Sequence, residues 1–335
     1  MRAAVISAPG VVDVQDVPDP APGPGEVVLQ VAAEGVCGTD LHILGGDFAP
    51  RLPLVPGHEI SGTVVAIGED VGLVSVGDLV VVDPSLPCHA CSACRRGRVN
   101  LCERFAAIGV TQAGGAAEYV LAPAQNCVAL PPDTDPVLAS LTEPVACAVH
   151  AFDSLPRRRA ERYLLYGAGT MGLVMGRLAQ RSGASTVRIV EPKAERRGVA
   201  RSMQLDVSAP GDEAIHAEAH GYDVVIDCTG VVAAIADGLP RVAPGGTFLH
   251  LGVPPEGTRI DYDAHRVYRH EITITGTMSL QHSMDAAAQL LATGLLDAAL
   301  LVTSRFALED YPRALEAVRL GTGIKTVVLP SVSGG

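Results

Sequence analysis

Four cysteines lie close together in the chain and could bind a metal ion. They are Cys88, Cys91, Cys94 and Cys102, and they fall within fifteen residues. Zinc takes four ligands in a tetrahedron, and such short spacings allow one loop to wrap around the ion. Four thiolates complete the coordination shell, so the predicted site is structural and has no position for substrate. Disulfides and an iron–sulfur cluster are the alternatives, although two Cys-x2-Cys steps that share Cys91 make paired disulfides awkward.

A second group of possible metal ligands is spread more widely along the chain. Cys37 offers a thiolate, His58 offers an imidazole, and Glu59 and Glu143 offer carboxylates. Three protein ligands and one exchangeable position would make a catalytic zinc site. Spacing alone leaves the alternative open, because a lone cysteine in an apolar strand usually packs in the core and a lone histidine is usually a satisfied polar group.

A glycine-rich turn indicates a dinucleotide-binding site. The segment GAGTMG follows the apolar run YLLY and opens a helical pattern. Glycines there permit a tight turn and a close approach of the backbone to a pyrophosphate, and the N-terminus of the helix favours that anion. An ordinary glycine-rich turn between a strand and a helix is the alternative. The predicted cofactor contacts in this turn are Gly167, Gly169, Thr170, Met171 and Gly172.

The strand pattern TVRIVEP, which comes after this helix, bears on the choice between NAD and NADP. It ends in Glu191, 22 residues after Gly169. A carboxylate at this place can accept the ribose hydroxyls and repels a 2′-phosphate. Arg196 and Arg197 come shortly afterwards and point the other way, unless they only form a solvated helix start. Because Glu191 occupies the strand end itself, NAD is favoured over NADP, and Arg196 stays a candidate cofactor contact.

The elements that must position these residues change in character along the chain. Residues 1–150 contain short Val-, Gly- and Pro-rich runs broken by turn signals, which predict a β-barrel-type domain with a metal lobe at about 84–104. Residues 151–278 alternate between strand and helix patterns, which predicts an α/β fold with a doubly wound parallel sheet. Residues 279–335 contain two amphipathic helices and a final strand. This tail is too small to fold alone, so we expect it to return to the first domain.

The composition of the whole chain argues against several classes of protein. A net charge of -12 over 335 residues disfavours a nucleic-acid partner, including a zinc-ribbon binder that would also contain four cysteines. The N-terminus has no signal-peptide pattern, and no apolar run is long enough to span a membrane. We therefore expect a cytoplasmic protein that contacts neither nucleic acid nor membrane.

Taken together, these residues resemble the zinc-containing alcohol dehydrogenases of the medium-chain dehydrogenase/reductase family. The resemblance covers essentially the whole chain, because GAGTMG comes after the metal segments in the family's order. It implies a GroES-like β-barrel-type catalytic domain and a Rossmann domain that binds NAD. The segments that carry it, besides the four-cysteine lobe, are Cys37-Gly-Thr39-Asp40-Leu-His42 and Gly57-His58-Glu59-x2-Gly62-x5-Gly68-x2-Val71.

The resemblance also implies how the catalytic zinc is bound. Cys37 and His58 would be ligands, together with one glutamate and a water molecule. Glu143 matches the Glu-Pro position of the polyol dehydrogenase branch, and Glu59 matches a glutamate that alternates with water on the metal. Asp40 would accept a hydrogen bond from His58 and orient its ring. The resemblance therefore implies two zinc ions per chain, one catalytic and one structural.

Proton transfer and cofactor contacts are implied by the same resemblance. Thr39 matches the hydroxyl that accepts the substrate proton, and His42 matches the group that passes it to solvent. Lys325 looks like the family's cationic contact to the cofactor pyrophosphate. Val253 and residues 277–279 match backbone contacts around the nicotinamide, although simple strand ends are an equally good description of their side chains.

The implied reaction is the reversible, NAD-dependent oxidation of a secondary hydroxyl to a ketone. The segment CGTDLH and the Glu143-Pro144 pair favour a polyol, a cyclitol or an amino-cyclitol as substrate. L-Threonine or butanediol dehydrogenase activity is the alternative, followed by a zinc-free quinone or enoyl reductase. Phe48 is a candidate for the lining of the substrate pocket. A homodimer or homotetramer is expected, as in other members of the family.

Overall fold

The computed structural model describes residues 1–47, 51–156, 160–216, 218 and 220–330. The chain divides into two compact units. Unit 1 comprises Met1–Ala146 and Leu280–Gly335, and unit 2 comprises Cys147–Ser279. These limits lie within a few residues of the boundaries expected at 150 and 278. Phe48 lies outside the described residues.

The first part of the chain is mainly β-structure with short helices. Its strands in chain order are β1 (Arg2–Ala8), β2 (Val11–Asp16), β3 (Glu26–Val36), β4 (Glu59–Ile67), β5 (Leu79–Val82), β6 (Ser85–Leu86), β7 (Ala106–Ala107), β8 (Tyr119–Pro123) and β9 (Cys127–Ala129). Its helices are α1 (Gly38–Gly45), α2 (Ser92–Arg95), α3 (Pro136–Ala139) and α4 (Thr142–Asp153). The predicted β-rich first domain is therefore present.

Unit 2 alternates strands and helices, as its sequence pattern predicts. The strands are β10 (Arg162–Tyr166), β11 (Thr186–Val190), β12 (Asp206–Ser208), β13 (Tyr222–Asp227), β14 (Val242–His250) and β15 (Thr273–Gly276). The helices are α5 (Thr170–Arg181), α6 (Ala194–Ser202), α7 (Val232–Gly238) and α8 (Ala264–Arg269). The strands form one parallel sheet in the order β12-β11-β10-β13-β14-β15. This order confirms the predicted doubly wound sheet. From β10 the chain adds β11 and β12 on one side and then β13, β14 and β15 on the other, and such folds bind ligands at this switch between β10 and β13.

The last segment of the chain completes the sheet of unit 1. Its elements are α9 (Met284–Ala292), α10 (Ala298–Leu301), β16 (Val302–Ala307), α11 (Tyr311–Leu320) and β17 (Lys325–Leu329). Strand β17 pairs antiparallel with β3, and β16 pairs parallel with β17, so the tail extends a seven-stranded sheet. Of the two strands in this segment, the sequence pattern predicts only the final one. Strand β16 is not predicted because VTSRFA mixes polar and apolar residues without a regular alternation.

Strand β3 lies inside the main sheet of unit 1. It pairs with β4 along most of its length and also with β8 and β17. Its residues Val27, Leu29 and Val31 belong to one apolar cluster of the unit. A buried strand with neighbours on each side is held rigidly, so the residues at its end have well-defined positions. Among the described residues, no helix is long and apolar enough to cross a membrane.

Candidate metal centres and nucleotide-binding turn

Three predicted metal ligands meet where β3 ends and β4 begins. Cys37 comes directly after β3, and His58 and Glu59 stand at the start of β4. The antiparallel register places Gly35 opposite Glu59, which brings the two strand ends together. One ligand atom from each of Cys37, His58 and Glu59 lies within 4.8 Å of the others. The fold therefore gathers a sulfur, an imidazole nitrogen and a carboxylate oxygen around one point.

Asp40 connects this group to the start of helix α1. One carboxylate oxygen accepts a hydrogen bond of 2.8 Å from the backbone N–H of Cys37, which begins the helix. The other oxygen lies 3.6 Å from Nδ1 of His58. Because Asp40 faces Nδ1, Nε2 of His58 is the nitrogen left for a metal. The buried Asp40 carboxylate therefore faces the ring without a hydrogen bond to it, and the orienting role that the resemblance implies for Asp40 stays a prediction.

The electrostatics of the site favour a bound cation. Burial by itself would lower the pKa of His58, but the Asp40 carboxylate and the Cys37 sulfur raise it well above the ordinary value. The surroundings of His58 thus stabilise positive charge on or beside its ring. Thiolate, imidazole and carboxylate are all zinc ligands, and three of them leave one coordination position open. The residues present therefore fit a catalytic zinc.

Asp40→Asn is expected to weaken metal binding at this site by about 10- to 100-fold, because the amide keeps the size of the side chain but loses the charge that orients His58. The affinity is measured by competition with a chelator, after the metal at the four cysteines has been accounted for. Asp16→Asn, which changes an exposed carboxylate in β2, serves as the control and should leave the affinity unchanged. An Asp40→Asn protein with wild-type affinity would contradict the role of Asp40.

Glu143 occupies a different place from the other three candidate ligands. It lies in the first turn of helix α4 and is buried. Among the described residues, the group whose ligand atoms lie within 4.8 Å of one another contains Glu59 and not Glu143. Its assignment as a zinc ligand stays a prediction.

Lys325 lies beside Glu59 in unit 1. Its ammonium group is buried in unit 1, where it donates hydrogen bonds of 2.5 Å to Oε1 of Glu59 and 3.1 Å to the carbonyl of Val36. Burial by itself would lower the pKa of Lys325, but the Glu59 carboxylate raises it above the ordinary value. The structure therefore shows Lys325 bound to a candidate metal ligand, and the contact to pyrophosphate that the resemblance implies stays a prediction.

Thr39 and His42 lie on helix α1, three residues apart and so on the same side of the helix. The hydroxyl oxygen of Thr39 is 3.7 Å from the sulfur of Cys37, next to the proposed metal position. Nδ1 of His42 is 2.9 Å from the carboxylate of Asp47, on the exposed side. The two side chains thus lead from the buried site towards solvent, which is the direction that a proton relay requires.

Sequence reasoning missed Glu34, a buried carboxylate beneath this site. Neither of its oxygens has a hydrogen-bond partner within the described structure, and its side chain is fully buried. Burial raises the pKa of Glu34 well above its ordinary value, and the nearby Asp40 and Glu59 raise it further. The available signal was an acidic residue inside the apolar strand EVVLQVAAEGV.

The four cysteines of the lobe also come together. Their sulfurs all lie within 4.8 Å of one another, and no cysteine of the chain forms a disulfide. The backbone N–H groups of Cys88 and Arg104 each donate to the sulfur of Cys102 at 3.3 Å. The backbone N–H of Ala90 and the Arg104 side chain lower the pKa of Cys88 to about 5. These are the surroundings of a thiolate, so the lobe fits the predicted structural zinc.

In unit 2, the glycine-rich turn has the geometry that its sequence predicts. Gly167 has a φ of +98°, and a Cβ at Gly172 would lie 1.8 Å from the carbonyl oxygen of Gly167. Only glycine is compatible with both positions. Helix α5 begins after Gly169, and no side chain caps it. Its first turn, with Thr170 and Met171, thus presents the backbone N–H groups and the dipole that suit a pyrophosphate.

Glu191 is hydrogen-bonded to the backbone of this turn. Its buried carboxylate accepts a hydrogen bond of 2.8 Å from the N–H of Ala168 and another of 2.8 Å from the N–H of Lys193. The sequence pattern does not distinguish Arg196 from Arg197, but the two side chains have different neighbours in the structure. Nη1 of Arg196 is 3.7 Å from the position of a Cβ on Gly169, at the turn. Arg197 donates to the carbonyls of Glu191 and Pro192.

The remaining cofactor candidates lie beyond strand β14 in unit 2. Val253 is largely exposed, and its backbone oxygen would be 2.4 Å from a Cβ on Gly230. The backbone N–H of Thr277 donates to the carbonyl of His250 at 3.2 Å. These contacts fix the backbone at the carboxyl ends of the strands, which is the part of such a sheet where ligands bind.

Two family models match the chain. An alcohol dehydrogenase GroES-like domain matches residues 23–132, and a zinc-binding dehydrogenase domain matches residues 170–293. D-Arabinitol dehydrogenase 1 of Uromyces fabae is 35% identical in an alignment of 316 positions that covers 91% of this chain and 90% of the relative. L-Threonine 3-dehydrogenase of Saccharopolyspora erythraea is 34% identical in an alignment of 342 positions that covers 98% of each chain.

The fold has close counterparts among solved structures. One is described as a zinc-binding dehydrogenase from Sinorhizobium meliloti 1021 bound to NADP. It superposes with a TM-score of 0.93 at 32% identity, covering 98% of this chain and 99% of its own. Together with the family models, this similarity confirms the predicted combination of a GroES-like domain and a Rossmann-type sheet.

Proposed function

The chain belongs to the zinc-containing alcohol dehydrogenases of the medium-chain dehydrogenase/reductase family, and from this membership we propose that it oxidises a secondary hydroxyl of a polyol, cyclitol or amino-cyclitol to a ketone. The predicted family is thus confirmed, and the chain is an enzyme. The observation that carries the proposal is the meeting of Cys37, His58 and Glu59 around one point. A zinc-free reductase would not need this group, so that alternative is disfavoured.

The candidate site residues of unit 1 have the following tasks in the proposed reaction. When bound, zinc lowers the pKa of an alcohol as it does that of water. Cys37 and His58 would hold the metal, with Glu59 or Glu143 as the third protein ligand. The Thr39 hydroxyl accepts the proton of the substrate hydroxyl, and His42 passes that proton to solvent. One thiolate and one carboxylate would neutralise the metal's two charges, which suits an uncharged or a zwitterionic substrate.

Unit 2 supplies the dinucleotide site. Gly167, Gly169 and Gly172 let the backbone approach the pyrophosphate, and the start of helix α5 faces it. A bound NAD would supply the acceptor for the hydride of the carbinol carbon, and the proton would leave by the path above, so the alcohol would lose two electrons in total. We propose NAD as the preferred dinucleotide because Glu191 at the end of β11 disfavours a 2′-phosphate, with Arg196 and Val253 as further contacts.

A panel of substrates tests this function. Acyclic polyols, inositols, amino-cyclitols, butanediol and L-threonine are each supplied with NAD, and the formation of NADH is followed by absorbance. We expect at least one polyol or cyclitol to exceed L-threonine in kcat/KM by about tenfold or more, because buried polar groups of a pocket discriminate strongly between hydroxylated substrates. Similarity to an L-threonine 3-dehydrogenase makes threonine the second candidate, and a faster rate with threonine would select it instead.

The proposal also covers the oligomeric state and the cellular location of the enzyme. Strand β15 is the last strand of its sheet, and its Ile274 is partly exposed. An open edge of this kind can pair with the same edge of a second copy, so we propose a homodimer or homotetramer. We propose separately that the enzyme is located in the cytoplasm. Light scattering on the purified chain measures its mass in solution, and a monomer would exclude this arrangement.

A further inference from the structure

Glu59 is in contact with two groups that compete for its charge. One of its carboxylate oxygens belongs to the group with Cys37 and His58. The same carboxylate also forms an ion pair with the ammonium of Lys325, in which Oε1 accepts at 2.5 Å and Oε2 makes a further close contact. The proposed metal and Lys325 are therefore two cations that share a single carboxylate.

The fold holds Lys325 in this place through several features. Lys325 begins strand β17, whose next residue pairs with Val36 at the end of β3. Its ammonium also donates to the carbonyl of Val36 at 3.1 Å. A Cβ at Gly35 would lie 2.1 Å from Oε2 of Glu59 and 2.9 Å from Cε of Lys325. The absence of a side chain at Gly35 thus leaves the space in which the two charged groups meet.

Burial makes this contact energetically important. The side chains of Lys325 and Glu59 are 5% and 1% exposed, so neither charge is solvated by bulk water. A buried ammonium that loses its carboxylate is left uncompensated, which is strongly unfavourable. Moving Glu59 fully onto the metal would therefore weaken its bond to Lys325. Conversely, the bond to Lys325 lowers the tendency of Glu59 to coordinate.

We propose that Lys325 is a positioning residue, which holds the Glu59 carboxylate at the edge of the catalytic metal and so keeps it as a reserve ligand. This inference rests on the proposed function, since it presumes a metal at Cys37 and His58. It assigns to Lys325 a task within unit 1 that needs no contact with the dinucleotide. The open coordination position stays available to substrate because the nearest spare carboxylate is engaged elsewhere.

Cobalt(II) in place of zinc provides a direct measurement, because its absorption bands report the ligands of the metal. The contribution of the four-cysteine site is obtained from the Cys37→Ser protein and subtracted. In Lys325→Met, which keeps most of the length of the side chain but removes its charge, Glu59 should move onto the metal. We expect the Co²⁺ affinity of this site to rise by about tenfold, the bands to shift, and added azide to lose its effect on the spectrum.

Two matched variants complete the test. Lys325→Arg keeps the cation and should retain the wild-type spectrum. The double variant Lys325→Met with Glu59→Gln should lose the gain in affinity, since the carboxylate that causes it is gone. A Lys325→Met protein with lower thermal stability but unchanged Co²⁺ affinity and spectrum would show that Lys325 is only structural, and the proposal would be wrong.

Glu59→Gln alone keeps the test decisive even if Lys325→Met does not fold. If Lys325 holds Glu59 away, this change alters the Co²⁺ affinity by less than about twofold, whereas loss of a resting ligand lowers it by about 100-fold and overturns the proposal. Failure of the proposed function is seen separately. In that case Cys37→Ser would bind as much Co²⁺ as the wild type, which would show that no metal site exists there.

Discussion

Cys37→Ser is expected to reduce kcat/KM by about a thousandfold or more, and His58→Ala should do the same. Stabilisation of negative charge by a metal is worth several kcal/mol, and each 1.4 kcal/mol corresponds to about tenfold in rate. Either change removes one of the two ligands, Cys37 and His58, on which the proposed site always depends, so the site loses its metal. Binding of NADH, followed by the fluorescence of the nucleotide, should change by less than about twofold, because the glycine-rich turn that binds the pyrophosphate belongs to unit 2, whereas Cys37 and His58 belong to unit 1.

Metal analysis and a matched cysteine variant separate this result from a loss of folding. The wild type should contain two zinc ions per chain and Cys37→Ser only one. Cys127 is a buried cysteine of unit 1 that packs in an apolar cluster and belongs to neither metal group. Cys127→Ser should therefore keep both ions and nearly all activity. Full turnover by a Cys37→Ser enzyme that contains a single zinc would refute the mechanism.

Cys91→Ser should instead act on stability. The described part of the lobe has few buried apolar residues, namely Ala93, Val99 and Cys102, and its only strand pair consists of two residues on each side. So small a core cannot hold the segment together, and bound zinc can contribute about 10 kcal/mol or more to the folding of such a segment. We expect the midpoint of thermal unfolding to fall by about 20 °C, since each kcal/mol corresponds to about 2 °C in a chain of this size.

Limited proteolysis locates the effect of this change. Cleavage of Cys91→Ser should begin between residues 84 and 104, whereas the wild type should resist cleavage there until the chain unfolds. The kcat of the protein that remains folded should stay within about twofold of the wild type, since the four cysteines complete a closed coordination shell without substrate. A Cys91→Ser protein with unchanged metal content and unchanged unfolding temperature would show that the lobe binds no zinc.

Much of the site is determined by short stretches of sequence. The four cysteines lie within fifteen residues, so the local chain can reach around one ion whatever the rest of the fold does. The turn GAGTMG is equally local, because its glycines are required by close approaches within the turn itself, such as that of Gly172 to the carbonyl oxygen of Gly167. Asp40 is also predictable, since a carboxylate at this position in helix α1 reaches back to the N–H of Cys37.

The site around Cys37 is a different case, because spacing alone leaves it open. Cys37 and His58 are twenty-one residues apart, and only the register of β3 against β4 brings them together. A shift of this register by one residue would turn the side chains to the opposite face of the sheet. The family resemblance supplied this information from the sequence, but it did not distinguish the surroundings of Glu59 from those of Glu143.

Local sequence patterns were sufficient to predict the fold class, the dinucleotide turn and the four-cysteine lobe, because each pattern involves residues close together in the chain. The environment of Glu59, in contrast, follows only from the three-dimensional fold. Lys325 lies 266 residues further along the chain and reaches it through the pairing of β17 with β3. The contact also requires the space at Gly35 and the burial of both charges. The physical reason is that strand pairing and burial between distant segments depend on how the whole unit packs, which no local pattern encodes.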